Sequence, residues 1–167
     1  MSYQAWLPAG WTGQIAMAKP KGLNARAIEA SGERIALRPF RQDDIAIVGV
    51  WLSEAAQRDP EDTWLAITLD SKEEPIGIIT YRAGYPKAGW LTIRFVGVAP
   101  PLRVCGYGSE AVRLLETEAR RLGLASSFRA DVDPNSGLSL YFWLRLGYRP
   151  VAAEDIIAMI RESREET

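Results

Sequence analysis

The sequence predicts an α+β domain with a central mixed, mostly antiparallel sheet and helices on both faces. Three consecutive strand-like runs, TWLAITLD, PIGIITYRA and WLTIRFVGV, are separated only by the short polar turns SKEEP and GYPKAG. Turns of this length join antiparallel strands, because a parallel connection needs a crossover of roughly a dozen residues or more. A helix, another strand and a second helix follow these hairpins, and this order predicts a mixed sheet.

The elements before the hairpins begin at Arg34. RIALRPF predicts a short strand, and QDDIAIVGVWLSEAA predicts a helix because it starts with acidic capping residues and then places apolar residues on one face: Ile45, Val48 and Leu52. After the hairpins, SEAVRLLETEARRLG predicts an amphipathic helix with Gly123 at its C-cap. Its apolar face consists of Val112, Leu115, Ala119 and Leu122.

The remaining elements alternate between strand and helix. SSFRADVD predicts a strand, PNSGLSLYFWLRLG a helix that ends at Gly147, and YRPV and DIIAMI two final strands. We assign residues 1–31 to an irregular N-terminal arm and 32–167 to one domain. The arm contains Trp6 and Trp11, which we expect to dock on the domain or across a homodimer, since exposed aromatic surface is unfavourable.

Composition excludes several classes of protein. The chain has 167 residues, 47% of them apolar and 25% charged, and its net charge is −1. This balance is that of a globular domain, and it lacks the basic footprint of a nucleic-acid-binding protein. No apolar run approaches the roughly 20 residues of a membrane span. The N-terminus has no secretory pattern, and a single cysteine cannot form an internal disulfide, so we expect a cytoplasmic protein.

Histidine is absent from the sequence. This absence excludes Ser-His-Asp and Cys-His catalysis. It also excludes most zinc and non-haem iron sites, because one cysteine cannot replace the missing ligands, and we expect no metal. The chemistry must depend on carboxylates, hydroxyls, amines, backbone groups or a bound cofactor.

The stretch APPLRVCGYGS joins the last hairpin strand to the following helix. It carries one arginine, Arg103, and two glycines, Gly106 and Gly108. A helix N-terminus presents unpaired N–H groups and the positive end of the helix dipole, and glycines let a ligand approach the backbone. An arginine adds charge and paired hydrogen bonds. The pattern predicts a pyrophosphate site; the simpler alternative is a tight turn with Arg103 in solvent.

A second phosphate-binding pattern overlaps this loop. GYGSEA also matches G-x-G-x-x-A, the dinucleotide fingerprint, with Asp131 or Asp133 at a suitable distance to bind a ribose. That fingerprint should follow its strand directly and open a series of βα units. Here APPLRVC intervenes and hairpins come first, which argues against a dinucleotide domain.

Three segments carry a resemblance to a known family. VAPPLRVCGYG resembles the acyl-CoA signature V-x-P-x-x-R-x-x-G-x-G of the GNAT superfamily of N-acetyltransferases, with matches at Val98, Pro100, Arg103, Gly106 and Gly108. DVDPNSGLSLYFWLRLGYRPV resembles the closing motif of that superfamily. RIALRPFRQDD resembles the start of the same domain, especially in the ribosomal-protein alanine acetyltransferase-like branch. The resemblance covers roughly residues 33–160, and the three segments follow in the family order.

The resemblance implies the GNAT acyl-CoA N-acyltransferase fold, with a splayed central strand pair. It implies that the pantetheine arm of acetyl-CoA pairs with backbone around Val96 and Val98. It also implies that the pyrophosphate lies on the backbone of the loop, at Arg103, Val104, Cys105, Gly106, Tyr107, Gly108 and Ser109. A primary amine of a small molecule or a peptide N-terminus then attacks the thioester directly. The Val98 N–H is the implied oxyanion donor, and no metal is needed.

The sequence departs from the family pattern in the loop and in the closing helix. Val104 stands where glycine is usual and Cys105 where a basic residue is frequent, which implies a stiffer and less positive cradle. Cys105 has no histidine to activate it, and we interpret it as a small loop residue rather than a nucleophile. Counting back from Gly147 puts Trp143 at the position where the family usually has a tyrosine that protonates the leaving thiolate.

The same count assigns two further closing-helix positions. Ser136 takes the place of the usual asparagine, with Asn135 adjacent, and counting from Asn135 instead aligns Phe142 with the tyrosine. We include Asn135 and Trp143 among the expected cofactor-binding residues. Tyr141 carries the nearby phenol and is a candidate catalytic acid; alternatively, it packs with its hydroxyl at the surface.

No general base stands out. The strand WLTIRF lacks the glutamate that often serves as the general base in this family, so either a water relay or another carboxylate removes the amine proton. The candidate carboxylates are Glu33, Asp43, Asp44, Glu54, Asp131 and Asp133. Aromatic residues either line an acceptor cleft or pack on the sheet: Tyr81, Tyr85 and Trp90. Trp143 and the missing base motivate an alternative function, a non-enzymatic or weakly active CoA-binding domain with a sensing or scaffolding role.

Overall fold

The computed structural model describes residues 28–48, 61–70, 72–153 and 155–163. Its strands are β1 (Ala30–Ser31), β2 (Ile35–Pro39), β3 (Thr63–Leu69), β4 (Pro75–Ala83), β5 (Trp90–Val98), β6 (Ser127–Val132), β7 (Arg149–Ala153) and β8 (Ile156–Arg161). Its helices are α1 (Ile45–Val48), α2 (Tyr107–Arg121) and α3 (Gly137–Arg145), with short 3₁₀ turns at Gln42–Asp44 and Pro100–Leu102. Within the described ranges, no helix is both long and apolar enough to cross a membrane.

The strands form one eight-stranded sheet in the order β1-β2-β3-β4-β5-β6-β8-β7. The pairs β1–β2, β2–β3, β6–β8 and β7–β8 are antiparallel, and β5–β6 is parallel. The predicted mixed, mostly antiparallel sheet with helices is therefore confirmed. A dinucleotide domain would have an open, mostly parallel sheet, so the alternative based on GYGSEA is excluded.

The parallel ladder between β5 and β6 is short. It covers four residue pairs and ends at Ile93 opposite Ala130. Arg94 and Asp131 still belong to their strands but are not paired with each other, although β6 continues to pair with β8 on its other side as far as Val132. This early end of the ladder is consistent with the predicted splay between β5 and β6.

The chain divides into two compact units, 1–80 with 95–115 and 81–94 with 116–167. The core of the first unit is a cluster of buried side chains in which the rings of Phe40 and Trp64 are 5.6 Å apart. Val48 of α1 is buried in this cluster and Ile45 packs against it, as the apolar spacing predicts. Leu52, the third predicted contact of that helix, lies outside the described residues.

The second unit has a buried polar cluster around Glu116 of α2. The Glu116 carboxylate accepts hydrogen bonds from the Tyr148 hydroxyl at 3.2 Å and from Arg161 Nη1 at 3.1 Å. Arg161 Nη1 also donates to the Leu146 carbonyl at 3.2 Å. Burial, and the neighbouring Glu116 charge after it, raise the pKa of Tyr148 well above its ordinary value. The cluster joins α2, the turn after α3 and strand β8.

The predicted N-terminal arm reaches the sheet at its last residues. Ala30 and Ser31 form β1 and pair with Leu37 and Ala36 of β2. Ile28, two residues earlier, is fully buried. Trp6, Trp11 and Glu54 lie outside the described residues, so the docking of the two tryptophans and the use of Glu54 as a base stay predictions.

Candidate functional site

The end of β5 is held on both sides of one peptide group. The Val98 carbonyl accepts a hydrogen bond from Arg103 Nε at 3.2 Å. The next amide, that of Ala99, donates to the Ile76 carbonyl at 2.7 Å. The chain then enters the 3₁₀ turn Pro100–Leu102. These bonds fix the point at which the strand passes into the loop.

The backbone of β4 lies unusually close to this strand end. An ideal Cβ on Gly77 would lie 2.4 Å from the Gly97 carbonyl oxygen and 3.3 Å from the Val98 Cα. No residue with a side chain fits there without moving backbone. Gly77 thus allows the close approach that positions Val98, whose side chain, like that of Val96, is only partly buried.

The loop between β5 and α2 contains two left-handed residues. Val104 has a φ of 63° and Gly106 a φ of 83°. Glycine adopts this conformation freely, whereas a β-branched residue rarely does. Val104 stands where the resemblance places a glycine, and its side chain is fully exposed. The loop therefore keeps a glycine-type backbone in spite of the valine.

Helix α2 begins without a side-chain cap. The Glu110 N–H donates to the Gly106 carbonyl at 3.0 Å, which makes Gly106 the N-cap residue. Glycine has no side-chain oxygen to cap the helix. The N–H groups of Tyr107, Gly108 and Ser109 have no acceptor among the described residues. Unpaired N–H groups at the positive end of a helix form an anion site.

The two glycines of the signature have different roles. Gly106 has the left-handed backbone that favours glycine. Gly108 lies within the first turn of α2 and has a helical backbone, so its conformation does not require glycine. For Gly108, we infer that the advantage of glycine is the absence of a side chain beside the open N–H groups.

Arg103 and Cys105 both lie at the exposed surface of the loop. Arg103 uses Nε to hold the Val98 carbonyl, which leaves its two outer nitrogens to face solvent or a ligand. The Cys105 thiol donates to the Arg103 carbonyl at 3.7 Å. Since its partner is a carbonyl and not a base, Cys105 fits the interpretation of a loop residue better than that of a nucleophile.

Arg34 is a residue of the loop region that sequence reasoning missed. Its Nη1 donates to the Cys105 carbonyl at 3.1 Å and its Nε to Glu110 Oε2 at 2.8 Å. Its guanidinium carbon lies 4.6 Å from the centre of the Tyr107 ring. Arg34 and Glu110 are 76 positions apart, and no local pattern links residues over that distance.

The aromatic residues of α3 belong to the second unit. Trp143 is buried, with its ring centre 5.0 Å from that of Phe142 and 4.8 Å from that of Tyr148. Tyr141 is 59% exposed, and the Arg145 guanidinium lies over its ring at 5.6 Å. The expected opposition of Trp143 and Tyr141 on the helix is therefore observed, and the Tyr141 ring lies on the solvent side.

The turn before α3 satisfies its own polar groups. Asp133 Oδ1 accepts a hydrogen bond from the Asn135 N–H at 2.9 Å, and the Asp133 carbonyl accepts one from the Ser136 N–H at 2.9 Å. Ser136 and Ser139 share a hydrogen bond between their hydroxyls at 2.8 Å. These bonds indicate a turn-forming role for Asp133 rather than that of a general base.

Two of the other candidate bases are engaged by arginines. Asp44 is buried, makes two 2.8 Å bonds with Arg38, and accepts the Arg41 N–H at 2.7 Å. The bond to Asp44 raises the pKa of Arg38. Asp131 accepts Arg129 Nε at 2.6 Å. Glu33 and Asp43 are exposed, and none of these carboxylates is distinguished as a base.

The three aromatic candidates for an acceptor cleft differ in exposure. Tyr81 is buried in the sheet and packs there. Tyr85 is exposed, with the Arg82 guanidinium 5.7 Å from its ring centre, and Trp90 is half-buried, with Lys87 Nζ at 5.8 Å. Among the described residues, no group of three or more histidine, cysteine, aspartate or glutamate side chains could hold a metal.

The mixed sheet, its short parallel ladder and the uncapped helix after the loop define an acyltransferase with the acyl-CoA N-acyltransferase fold. The model of the Acetyltransferase (GNAT) family matches residues 31–148, which is more than half of the chain. The chain therefore belongs to the GNAT family, and the superfamily inferred from the three sequence segments is confirmed. Enzymes of this family use acetyl-CoA as acyl donor.

Solved structures share the fold. An acetyltransferase from Thermus thermophilus is 19% identical, with a TM-score of 0.60 and coverage of 78% of this chain and 97% of that one. A Salmonella typhimurium acetyl transferase, described as modifying the N-terminal serine of ribosomal protein L7/L12, is 14% identical, with a TM-score of 0.62 and coverage of 78% and 96%.

Arabidopsis thaliana Naa50, in complex with the bisubstrate analogue CoA-Ac-MVNAL, is 15% identical. Its TM-score is 0.61, with coverage of 78% of this chain and 99% of that one. A search of curated protein sequences gave no match. At these identities, the structural similarity concerns the fold alone.

Proposed function

We propose that this protein transfers an acetyl group from acetyl-CoA to a primary amine of a small molecule or a peptide N-terminus. One observation carries the proposal: three neighbouring N–H groups, those of Tyr107, Gly108 and Ser109, are unpaired behind a glycine N-cap among the described residues. A pyrophosphate fits such a site, because it offers charged acceptors to exposed donors. Two of the similar structures support an amine at a peptide N-terminus as acceptor. The Salmonella typhimurium acetyl transferase modifies an N-terminal serine, and Naa50 is in complex with CoA-Ac-MVNAL.

The proposed binding set follows the loop. The first-turn N–H groups hold the pyrophosphate together with the backbone of Val104, Cys105 and Gly106, and the outer nitrogens of Arg103 add charge. Val96 and Val98 offer backbone groups to the pantetheine arm. Asn135 and Trp143 lie in the second unit, and the role in CoA binding that the resemblance implies for them stays a prediction.

The proposed reaction is a direct transfer. Bound acetyl-CoA supplies a thioester whose carbonyl carbon the amine attacks, so that a C–N bond forms, the C–S bond breaks and the thiolate leaves. The Val98 N–H donates to the carbonyl oxygen as negative charge develops there. The immobile end of β5, held by Arg103 and by the Ala99 amide, supports this role because an oxyanion donor must be pre-positioned.

Proton transfer is the less defined part of the proposal. Trp143 has no acidic group that could protonate the thiolate, and the Tyr141 phenol is the candidate acid on α3. Either a water relay or one of the carboxylates Glu33, Asp43 and Glu54 removes the proton of the amine. The other three candidates, Asp44, Asp131 and Asp133, are engaged by other groups.

Thiol release tests this function. The protein is incubated with acetyl-CoA and a panel of amines that includes peptides with free N-termini, each matched to the same peptide with an acetylated N-terminus. We expect free thiol only with the unblocked member of a pair. CoA binding in calorimetry without thiol release on any amine would instead support a CoA-binding domain with a sensing or scaffolding role, which the tryptophan at position 143 favours.

A further inference from the structure

Arg34 contacts three residues at the junction of the loop and α2. Its N–H donates to Glu110 Oε1 at 2.9 Å and its Nε to Glu110 Oε2 at 2.8 Å. Its Nη1 donates to the Cys105 carbonyl at 3.1 Å, and its guanidinium lies over the Tyr107 ring. A Cβ on Gly106 would lie 3.3 Å from its Nη2. One side chain thus touches both the loop and the first turn of the helix.

The backbone of Arg34 is anchored in the sheet. Its carbonyl accepts a hydrogen bond from the Asp70 N–H at 2.9 Å. In the turn just before it, the Gly32 N–H donates to the Ile35 carbonyl at 2.7 Å. The side chain therefore reaches the loop from a fixed position, which a positioning residue requires.

The loop needs an external contact to keep its conformation. Val104 and Gly106, on either side of Cys105, are both left-handed, and this is an unfavourable backbone for a valine. Arg34 holds the Cys105 carbonyl between them. The bond favours the one loop conformation in which both neighbours are left-handed.

Charge gives Arg34 a second effect. The Glu110 carboxylate lies in the first turn of α2, where it competes with a bound phosphate for the positive end of the helix. Arg34 pairs with this carboxylate through Nε and the backbone N–H, and 48% of its side chain stays exposed. The pair removes a repulsive charge from the proposed phosphate site.

We propose that Arg34 is a positioning residue for CoA binding: it holds the 103–107 loop in shape and neutralises Glu110. This inference rests on the proposed function, since it assumes that the loop binds CoA.

Calorimetric titration of CoA into two Arg34 variants tests the proposal. Arg34→Ala should raise the Kd about tenfold, the size expected for losing a charge-assisted hydrogen bond. Arg34→Lys should raise it about threefold, because lysine keeps the charge but lacks the planar fork. Arg121→Ala is the matched control: it removes another arginine–glutamate pair, with Glu118, in the last turn of the same helix, and should leave the Kd within about twofold of wild type.

Hydrogen exchange without CoA gives a second measurement. In Arg34→Ala, the Glu110 amide, which donates to the Gly106 carbonyl of the loop, should exchange at least about fivefold faster, while the amides in the second half of α2 keep the wild-type rate. A general loss of stability would accelerate both groups. If Arg34→Ala does not fold, the Kd for CoA and the exchange rates of Arg34→Lys test the positioning role in its place.

The outcomes separate this inference from the proposed function. If wild-type protein binds no CoA, the proposed function fails, and the exchange rates still show whether Arg34 holds the loop. If wild-type protein binds CoA and Arg34→Ala binds it equally well with unchanged loop exchange, the positioning role is wrong. In a Glu110→Gln background, the Arg34→Ala effect on Kd should shrink; an equal effect would overturn the neutralising role.

Discussion

The backbone of Gly77 lies so close to that of Gly97 that a β-carbon on Gly77 would be 2.4 Å from the Gly97 carbonyl oxygen. The obstacle is backbone of the neighbouring strand, which cannot rotate away as a flexible side chain can. Gly77→Ala should therefore lower the free energy of unfolding by about 1–3 kcal/mol, the usual cost of overpacking. Urea denaturation measures the change.

Gly137→Ala is the control for that substitution. Gly137 lies at the start of α3, and a Cβ there would meet nothing within 4 Å. It should be neutral or stabilising by up to about 1 kcal/mol, because alanine is a better helix former than glycine. Equal effects of the two substitutions would show that the Gly77 contact is relieved at little cost.

Val104→Gly should stabilise the protein. A left-handed conformation costs an L-residue about 1–2 kcal/mol, whereas the extra freedom of an unfolded glycine costs about 0.5–1 kcal/mol. The Val104 side chain is fully exposed and contributes no packing. We expect a net gain of about 0.5–1 kcal/mol in urea denaturation. A less stable Val104→Gly protein would mean that the valine contributes something beyond its strained backbone.

Gly108→Val should abolish CoA binding and leave the fold intact. The Gly108 backbone is helical, a conformation that residues with side chains adopt, but a side chain there would stand beside the N–H groups proposed to bind pyrophosphate. Gly137→Val places the same side chain in the first turn of α3 and should not affect binding. Calorimetry with CoA measures the affinity, and circular dichroism checks folding. Tight CoA binding by folded Gly108→Val would remove the main support for the phosphate site.

Arg103→Ala should weaken CoA binding more mildly. The side chain is exposed, so its charged hydrogen bond is worth only about 1 kcal/mol, or roughly a fivefold change in Kd. Because salt screens exposed charges, raising the salt concentration should weaken wild-type binding more than binding by Arg103→Ala. Titrations at two salt concentrations measure this difference. Parallel salt dependences would indicate that Arg103 serves only to hold the Val98 carbonyl.

The raised pKa of Tyr148 predicts that the protein loses stability at alkaline pH. Its pKa is raised by burial and by Glu116, so the folded protein keeps the phenol proton above pH ~10, where the unfolded chain releases it. Below that pH both states are protonated and the stabilisation is complete. Above it the free energy of unfolding should fall by up to about 1.4 kcal/mol per pH unit.

Two variants isolate this contribution. Tyr148→Phe removes the phenol and should show a flatter decline between about pH 9 and 11, on either side of the ordinary tyrosine pKa. Tyr141→Phe removes an exposed phenol and should follow wild type. Thermal unfolding at a series of pH values measures the slopes. The assignment to Tyr148 is wrong if its variant declines as steeply as wild type.

Local signals explain why most of the fold could be predicted. The turns SKEEP and GYPKAG leave too few residues for a parallel crossover, so they predict that β3, β4 and β5, which are neighbours in the sheet, run antiparallel. The spacing of Ile45 and Val48 likewise predicts which face of α1 is buried. Strand β1 escaped prediction because two residues, Ala30 and Ser31, carry no periodicity and form a strand only by pairing with β2.

The site could be predicted in part for the same reason. The loop signature is local, and it identified the stretch that contains Gly106 and Val104 with their left-handed backbones. Arg34 and Gly77 depend on contacts that a single sequence does not display. The partner of Arg34 lies 76 positions away, and a glycine within a strand does not reveal which backbone approaches it.

The buried cluster around Glu116 has a consequence for the order of events during protein synthesis. Glu116 is made 45 residues before Arg161, whose guanidinium compensates its charge in the folded protein. Until the ribosome has added Arg161, the carboxylate lacks this cation, and burying it would be strongly unfavourable. Because chains emerge from the N-terminal side, the second unit cannot finish folding before strand β8 has been made.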